Sequence, residues 1–243
     1  KSSGSLRAYS EPLREQGVLS LDDGVAPHPK GWMRYVQGVV AEYRSLGVKC
    51  PAMDVVAVSS VPLGGGLSSS AALELAVAHL IEAASTQART SAERIAASIR
   101  AERHFAGVPC GIMDQTVVEL GQARHALLLD CQDETFSHVP CLAPHIAMLV
   151  IHSGVSHSLA SGAYAERRAE CESAAEKLGL SSLRMLEPHQ LKALDGHPVL
   201  TRRARHVMTE NRRVQSMVTA LTSGDDRGAG ALLSASHQSL RDD

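Results

Sequence analysis

Aromatic side chains are scarce in this 243-residue sequence, with two Phe, one Trp and four Tyr making up 3% of it. That scarcity excludes the stacking platforms on which single-stranded nucleic acids lie. A basic excess is lacking too: the formal net charge is −2, whereas a nucleic-acid binder concentrates positive charge on one face. Long apolar runs are absent, since the most apolar helical stretch, AALELAVAHLIEAA, is interrupted by Glu74, His79 and Glu82 and is too short and polar to span a bilayer. The opening KSSGSLRAYSEPLREQG has no apolar core, so it does not read as a signal peptide. The five cysteines, Cys50, Cys110, Cys131, Cys141 and Cys171, are odd in number, widely spaced and without a C-x-x-C pair, the pattern of free thiols in a reducing compartment. No H-E-x-x-H spacing occurs among the 12 histidines, and no zinc site is assigned. What remains is 44% hydrophobic and 21% charged, long enough to bury a core without crosslinks. The expectation is a soluble, cytoplasmic, monomeric protein with neither nucleic acid nor membrane as partner.

The apolar pattern predicts alternating strands and helices through about residue 150. Met33, Val36, Val39, Val40 and Tyr43 recur at helical spacing over 32–46, and MDVVAVSSV has the β-branched density of a strand. Helices are predicted over 68–84 and 91–105, the latter from a Ser/Thr cap with Glu93 nearby, and over DQTVVELG. HALLLDC, ETFSHVPC and IAMLVIHS read as strands, and the first thirty residues as irregular, with DDGVAPHPKG a loop. Beyond residue 150 helices dominate, at 160–178, 187–195, 201–222 and 226–237. The expected division is into residues 1–145 and 146–243.

PLGGGLSSSAALE, residues 62–74, stands between a strand and a helix. Glycines let backbone N–H groups approach a ligand and adopt positive φ, forming a nest of donors. At a helix start those donors add to unpaired first-turn N–H groups and the positive dipole end, which together favour an anion. The alternative is a turn in which one serine is the N-cap, worth about 1 kcal/mol. Local chemistry leaves both open, and the order strand, triglycine, triserine, helix favours the cradle. It follows a third design, because neither G-x-x-x-x-G-K-[ST] nor G-x-G-x-x-G occurs.

Taken alone, Asp114 in GIMDQ reads as a first-turn acid that complements the helix dipole, and Glu102 in AERHFAG as a solvated helix residue. Beside a phosphate cradle both gain a second meaning, since phosphoryl transfer needs a carboxylate near the acceptor hydroxyl and an oxygen ligand for Mg²⁺. In HSLASGAYAERR, Ser158 or Ser161 caps a helix, and Tyr164, which could present its hydroxyl to a ligand, reads by itself as a core residue.

Together PLGGGLSSSAALE, HFAGVPCGIMDQ, HALLLDC, HSLASGAYAERR and SHQSLRDD, in that order, resemble the galactokinase branch of the GHMP family of small-molecule kinases. The resemblance implies an α+β, two-lobed fold with a ribosomal protein S5 domain 2-like first lobe and a ferredoxin-like second lobe, incomplete at both ends. It implies transfer of the γ-phosphoryl group of MgATP to the C1 hydroxyl of galactose. A non-catalytic sugar- or nucleotide-binding derivative, or a kinase for N-acetylgalactosamine, is the alternative. Gly64, Gly65, Gly66, Leu67, Ser68, Ser69 and Ser70 would surround the ATP phosphates, and Ser69 or Ser70 with Glu102 would serve Mg²⁺. Asp114 would face the anomeric hydroxyl, Gly111 and Tyr164 would lie against the sugar, and Trp32 and Tyr35 would line the adenine region. Two stretches typical of the branch do not occur: an upstream P-G-R-V-N-L-I-G-E-H-x-D-Y type, and a G-G-G-F-G-G type expected just after Arg241-Asp242-Asp243.

Overall fold

Residues 4–22, 26–141, 145–151 and 163–243 are described by a computed structural model. The opening stretch, expected to be irregular, forms an antiparallel hairpin of β1 (Ser5–Ser10) and β2 (Glu15–Ser20). Leu6, Ala8, Gly17 and Leu19 point inward, alternating with exposed Arg7, Tyr9 and Val18. Gly17 is small for a reason: a Cβ there would stand 2.4 Å from Met33 Cγ. β1 also pairs in parallel with β3 (Met53–Ala57), giving the order β2-β1-β3. Arg7 bridges to Asp54 through two 2.6 Å contacts. The strand expected to run to Val61 stops at Ala57, and Val58 is 74% exposed.

Against this sheet lies α1 (Gly31–Ser45), whose Met33, Val36, Val39, Val40 and Tyr43 are buried at the expected spacing. It is followed by α2 (Ser69–Ser85), α3 (Ser91–Ala101) and α4 (Met113–Leu120). A capping box between Thr90 and Glu93 begins α3, which closes four-residue sequence logic into two hydrogen bonds. α3 continues as a π-helical turn, Glu102–Ala106, and ends at Gly107 with φ +75°. At Gly38 a Cβ would approach Ala101 Cβ to 2.7 Å, so glycine there permits close packing of α1 on α3. The first core joins Leu6, Leu19, Met33, Val39, Tyr43, Ala78 and Ile81.

β4 (His125–Asp130) and β5 (Thr135–Pro140) make a separate two-stranded sheet. α5 (Ala163–Lys177), α6 (Pro198–Ser223) and α7 (Asp226–Asp242) follow, with 3₁₀ turns at Leu183–Met185 and Pro188–Leu194. Their core contains Ala174, Leu183, Leu186, Leu194, Ala204 and Met208. Three expectations are corrected here. The helix at 187–195 is 3₁₀, the last helix runs past 237 to Asp242, and 146–151 of IAMLVIHS is not a strand. Met148, Leu149, Val150 and Ile151 are exposed and have no neighbouring strand among the described residues. β propensity without a partner to pair with does not make a strand.

By internal contacts the chain divides into two units, one of Lys1–Gly121, Leu129–Thr135 and Val150–Ala160, the other of Gln122–Leu128, Phe136–Leu149 and Ser161–Asp243. Among the described residues no helix is long and apolar enough to cross a membrane.

Candidate active site

Between β3 and α2 the backbone enters the left-handed region at alternate residues: Gly64 (φ +68°), Gly66 (φ +71°) and Ser68 (φ +55°). A Cβ at Gly64 or Gly66 would meet nothing within 4 Å. Those glycines therefore supply conformation rather than room. Ser68 carries a side chain in the same region, which costs on the order of 1 kcal/mol. It occupies the N-cap position of α2 but makes no capping hydrogen bond. Its hydroxyl donates instead to Asp114 Oδ1 at 2.9 Å. The simple N-cap reading thus fails at Ser68, and the first turn of α2, which includes half-buried Ser69 and Ser70, keeps uncapped N–H groups beside the loop.

Asp114 lies in the first turn of α4, half-buried, and Gly111 precedes that helix with open space where a Cβ would stand. Behind Asp114 the next residue, Gln115, is fully buried. Its Nε2 donates to Glu102 Oε2 at 2.6 Å and to Glu74 Oε2 at 3.0 Å. Glu102, a solvated helix residue by sequence, is 2% exposed; the π-helical turn that it opens carries it inward, a local irregularity common at functional sites. Glu74, from α2, has no exposed surface.

These carboxylates shape the titration of their neighbours. Burial pushes the Glu74 carboxyl up to about 9, with Gln115 opposing and the charges of Glu102 and Asp114 adding to the rise. Glu74 is therefore protonated at neutral pH. Burial, then Glu102, pushes the Cys110 thiol up to about 11. Burial, then Glu102, Glu74 and Cys110, pushes the Tyr35 phenol up to about 12. Glu74 Oε1 and Gln115 Oε1 are buried without a hydrogen-bond partner. Loop, Asp114 and this acid cluster all belong to the first unit.

Among the described residues no three His, Cys, Asp or Glu side chains are grouped to hold a metal ion. Magnesium asks for less: one or two protein oxygens, with phosphate and water completing its octahedron. Ser69, Ser70 and Glu102 offer oxygen donors of that kind, and the Gln115 bond orients the carboxylate, so these residues fit the ion.

Of the remaining sequence-predicted residues, Trp32 donates its indole N–H to Glu15 Oε2 at 3.2 Å and packs against the first core. Tyr35, three residues on, faces the acid cluster. Tyr164 is 53% exposed on α5 in the second unit, so it is not a core residue. Ser158 and Ser161 lie outside the described residues. Sequence reasoning missed Glu74 and Gln115. A signal for the first was present: an acid within the most apolar stretch of the chain, AALELAVAHL, is solvent-facing or deliberately buried.

A family model described as GHMP kinases N terminal domain matches residues 34–122. The galactokinase of Bos taurus is 46% identical over 238 residues, covering 96% of this chain and 60% of that protein. The Homo sapiens galactokinase is 43% identical with the same coverage of 96% and 60%, and that of Roseiflexus sp. is 39% identical, covering 98% and 62%. The crystal structure of Lactococcus lactis galactokinase complexed with galactose matches with a TM-score of 0.83 at 27% identity, covering all of this chain and 65% of that one. The chain thus spans about 60% of the length of the curated relatives, and its α+β fold is theirs. The glycine-serine loop, Glu102 and Asp114 all lie within the stretch that matches the GHMP kinases N terminal domain, and the chain as a whole is similar to galactokinases.

Proposed function

We propose that this chain carries the phosphoryl-transfer site of a cytoplasmic galactose kinase, moving the γ-phosphoryl group of MgATP to the C1 hydroxyl of galactose. The observation that carries the reading is the Ser68 hydroxyl turned to Asp114 instead of capping α2. That one contact sets a carboxylate beside a glycine loop whose helix-start donors are left for an anion. Residues Gly64 to Ser70 hold the phosphates, Ser69, Ser70 and Glu102 face the cation, Gly111 touches the sugar, and Trp32 and Tyr35 serve the adenine. Similarity to galactokinases at 43–46% identity supports the substrate class.

Phosphoryl transfer needs little covalent chemistry from the protein, so positioning and electrostatics dominate. Ser69, Ser70 and Glu102 would hold magnesium, which would supply positive charge to offset that of the phosphates. Asp114 accepts the proton of the C1 hydroxyl as the new O–P bond forms and the bond to the departing ADP breaks. Ser68 holds one oxygen of that carboxylate, which fixes its direction. The cradle's N–H groups steady the departing phosphates.

The test is formation of galactose 1-phosphate from galactose and MgATP. Asp114→Asn is expected to lower kcat about 10²–10⁴-fold, the usual worth of a general base. Undiminished turnover in that variant removes Asp114 from the mechanism. N-acetylgalactosamine in the same assay decides between the two sugars, and calorimetric titration with ATP and galactose separates a chain that binds without turnover from an active kinase.

A further inference from the structure

We propose that Gln115 is a positioning residue, whose side-chain amide ties Glu74 of α2 and Glu102 of the π-helical turn to the first turn of α4 and so sets where Glu102 and Asp114 stand relative to the loop. It deepens the kinase reading and rests on it for the meaning of Glu102 and Asp114. Both N–H bonds of the amide are spent, one on each of two carboxylates brought by different elements. The following residue of the chain away from Asp114 is thereby anchored, and the backbone of α4 passes that anchor directly to Asp114.

A packing role does not account for a glutamine here. An apolar side chain of similar size would fill the same space without burying the unpaired Gln115 Oε1, but it would leave Glu74 Oε2 and Glu102 Oε2 without the donor that both now share. An arginine would hold two acids more firmly, yet it would cancel the charge of Glu102. A neutral amide restrains both and cancels nothing, so the Glu102 carboxylate keeps its attraction for a cation. The two bonds measure 2.6 Å to Glu102 and 3.0 Å to Glu74. The charges that bear on Glu74 are both negative, those of Glu102 and Asp114.

The first measurement needs neither ligand nor variant. In the chain labelled with ¹⁵N, both Gln115 side-chain protons are expected to exchange with solvent at least a hundredfold more slowly than those of an exposed glutamine; rapid exchange of either overturns the bridge. Gln115→Met then removes both donors at nearly constant size. Affinities for MgATP and for ATP in EDTA are measured by calorimetry, and their ratio is the cation's share of binding. Q115M is expected to shrink that ratio about tenfold while leaving affinity in EDTA unchanged, a split that mere loss of packing does not produce. An unchanged ratio overturns the proposal. If the parent chain binds ATP in neither form, the kinase reading fails by itself. The inference is then decided by the carboxyl ¹³C signals of Glu102 and Asp114, which move in Q115M if Gln115 positions them and stay in place if it does not. Should Q115M fail to fold, the proton exchange in the parent chain decides.

Discussion

The two ends of α2 each bury a glutamate, and they treat it in opposite ways. Near the C-terminal end, Glu82 accepts from the Tyr43 hydroxyl at 2.5 Å, from Arg94 Nη1 at 3.0 Å and from the Arg89 backbone N–H at 3.0 Å. Arg94 continues to Glu119 Oε1 at 2.8 Å, and His79 meets the other oxygen of Glu119 at 3.1 Å. Burial alone would raise Glu119, but hydrogen bonds from Arg94, Ser91 and His79 bring it below the ordinary carboxylate value. Toward the N-terminal end, Glu74 has one amide, an unpaired oxygen and two negative neighbours. A paired charge cluster holds four helices together, whereas an unpaired one costs stability and is tolerated where charge has a task.

Removing the cation should break the comparison most. Arg94→Met leaves Glu82 and Glu119 buried without a counter-charge, and urea unfolding is expected to show a loss of about 3–5 kcal/mol. A loss below about 1 kcal/mol would mean that this cluster, too, is not structural. Tyr43→Phe probes the same end more gently. Its phenol is raised by burial and then by Glu82, and deletion of one hydrogen bond to a charged acceptor should cost about 1.5–3 kcal/mol in the same experiment.

Acid–base titration of stability sharpens the contrast from the other end. The Glu74 carboxyl goes from an ordinary 4.5 to about 9 on folding, so between those values the folded state holds a proton that the unfolded state has lost. Its contribution is fully present below 4.5 and disappears as pH rises to about 9, with a slope of at most about 1.4 kcal/mol per pH unit. Glu74→Gln should abolish that part of the decline. Equal pH profiles for the two proteins would show that Glu74 ionises normally and that the two ends of α2 are electrostatically alike.

What could be read from the sequence follows the range of the physical cause. α1 was legible because Met33, Val36, Val39, Val40 and Tyr43 repeat one helical face, and the start of α3 because a capping box is a rule about four consecutive residues. β1 and β2 were not, since one of their few inward positions is Gly17, whose smallness answers to Met33 on another element. In IAMLVIHS the local preference was plain and the missing strand neighbour was not. The glycine-serine loop stood out by composition, and Asp114 by its place at a helix start. Glu102 looked solvated because a π-helical turn leaves no clear mark in the sequence, and Gln115 became visible only when its amide was seen between two acids.

The smallest expected effect is also the most discriminating. Ser68 is the third left-handed residue of the loop and the one with a side chain. Ser68→Gly removes the conformational cost, which should raise stability by about 0.5–1 kcal/mol. It also removes the hydroxyl from Asp114, and loss of one orienting hydrogen bond of about 1.4 kcal/mol should lower sugar phosphorylation about tenfold. Ser68→Ala keeps the strain and loses the same bond, so it should be both less stable and less active. A rise in melting temperature with a fall in turnover for the glycine variant alone marks a site where strain is retained for function. If Ser68→Gly is instead less stable than the parent, the bond to Asp114 holds the fold together, and the N-terminal end of α2 is built on the same principle as Glu82 and Arg94.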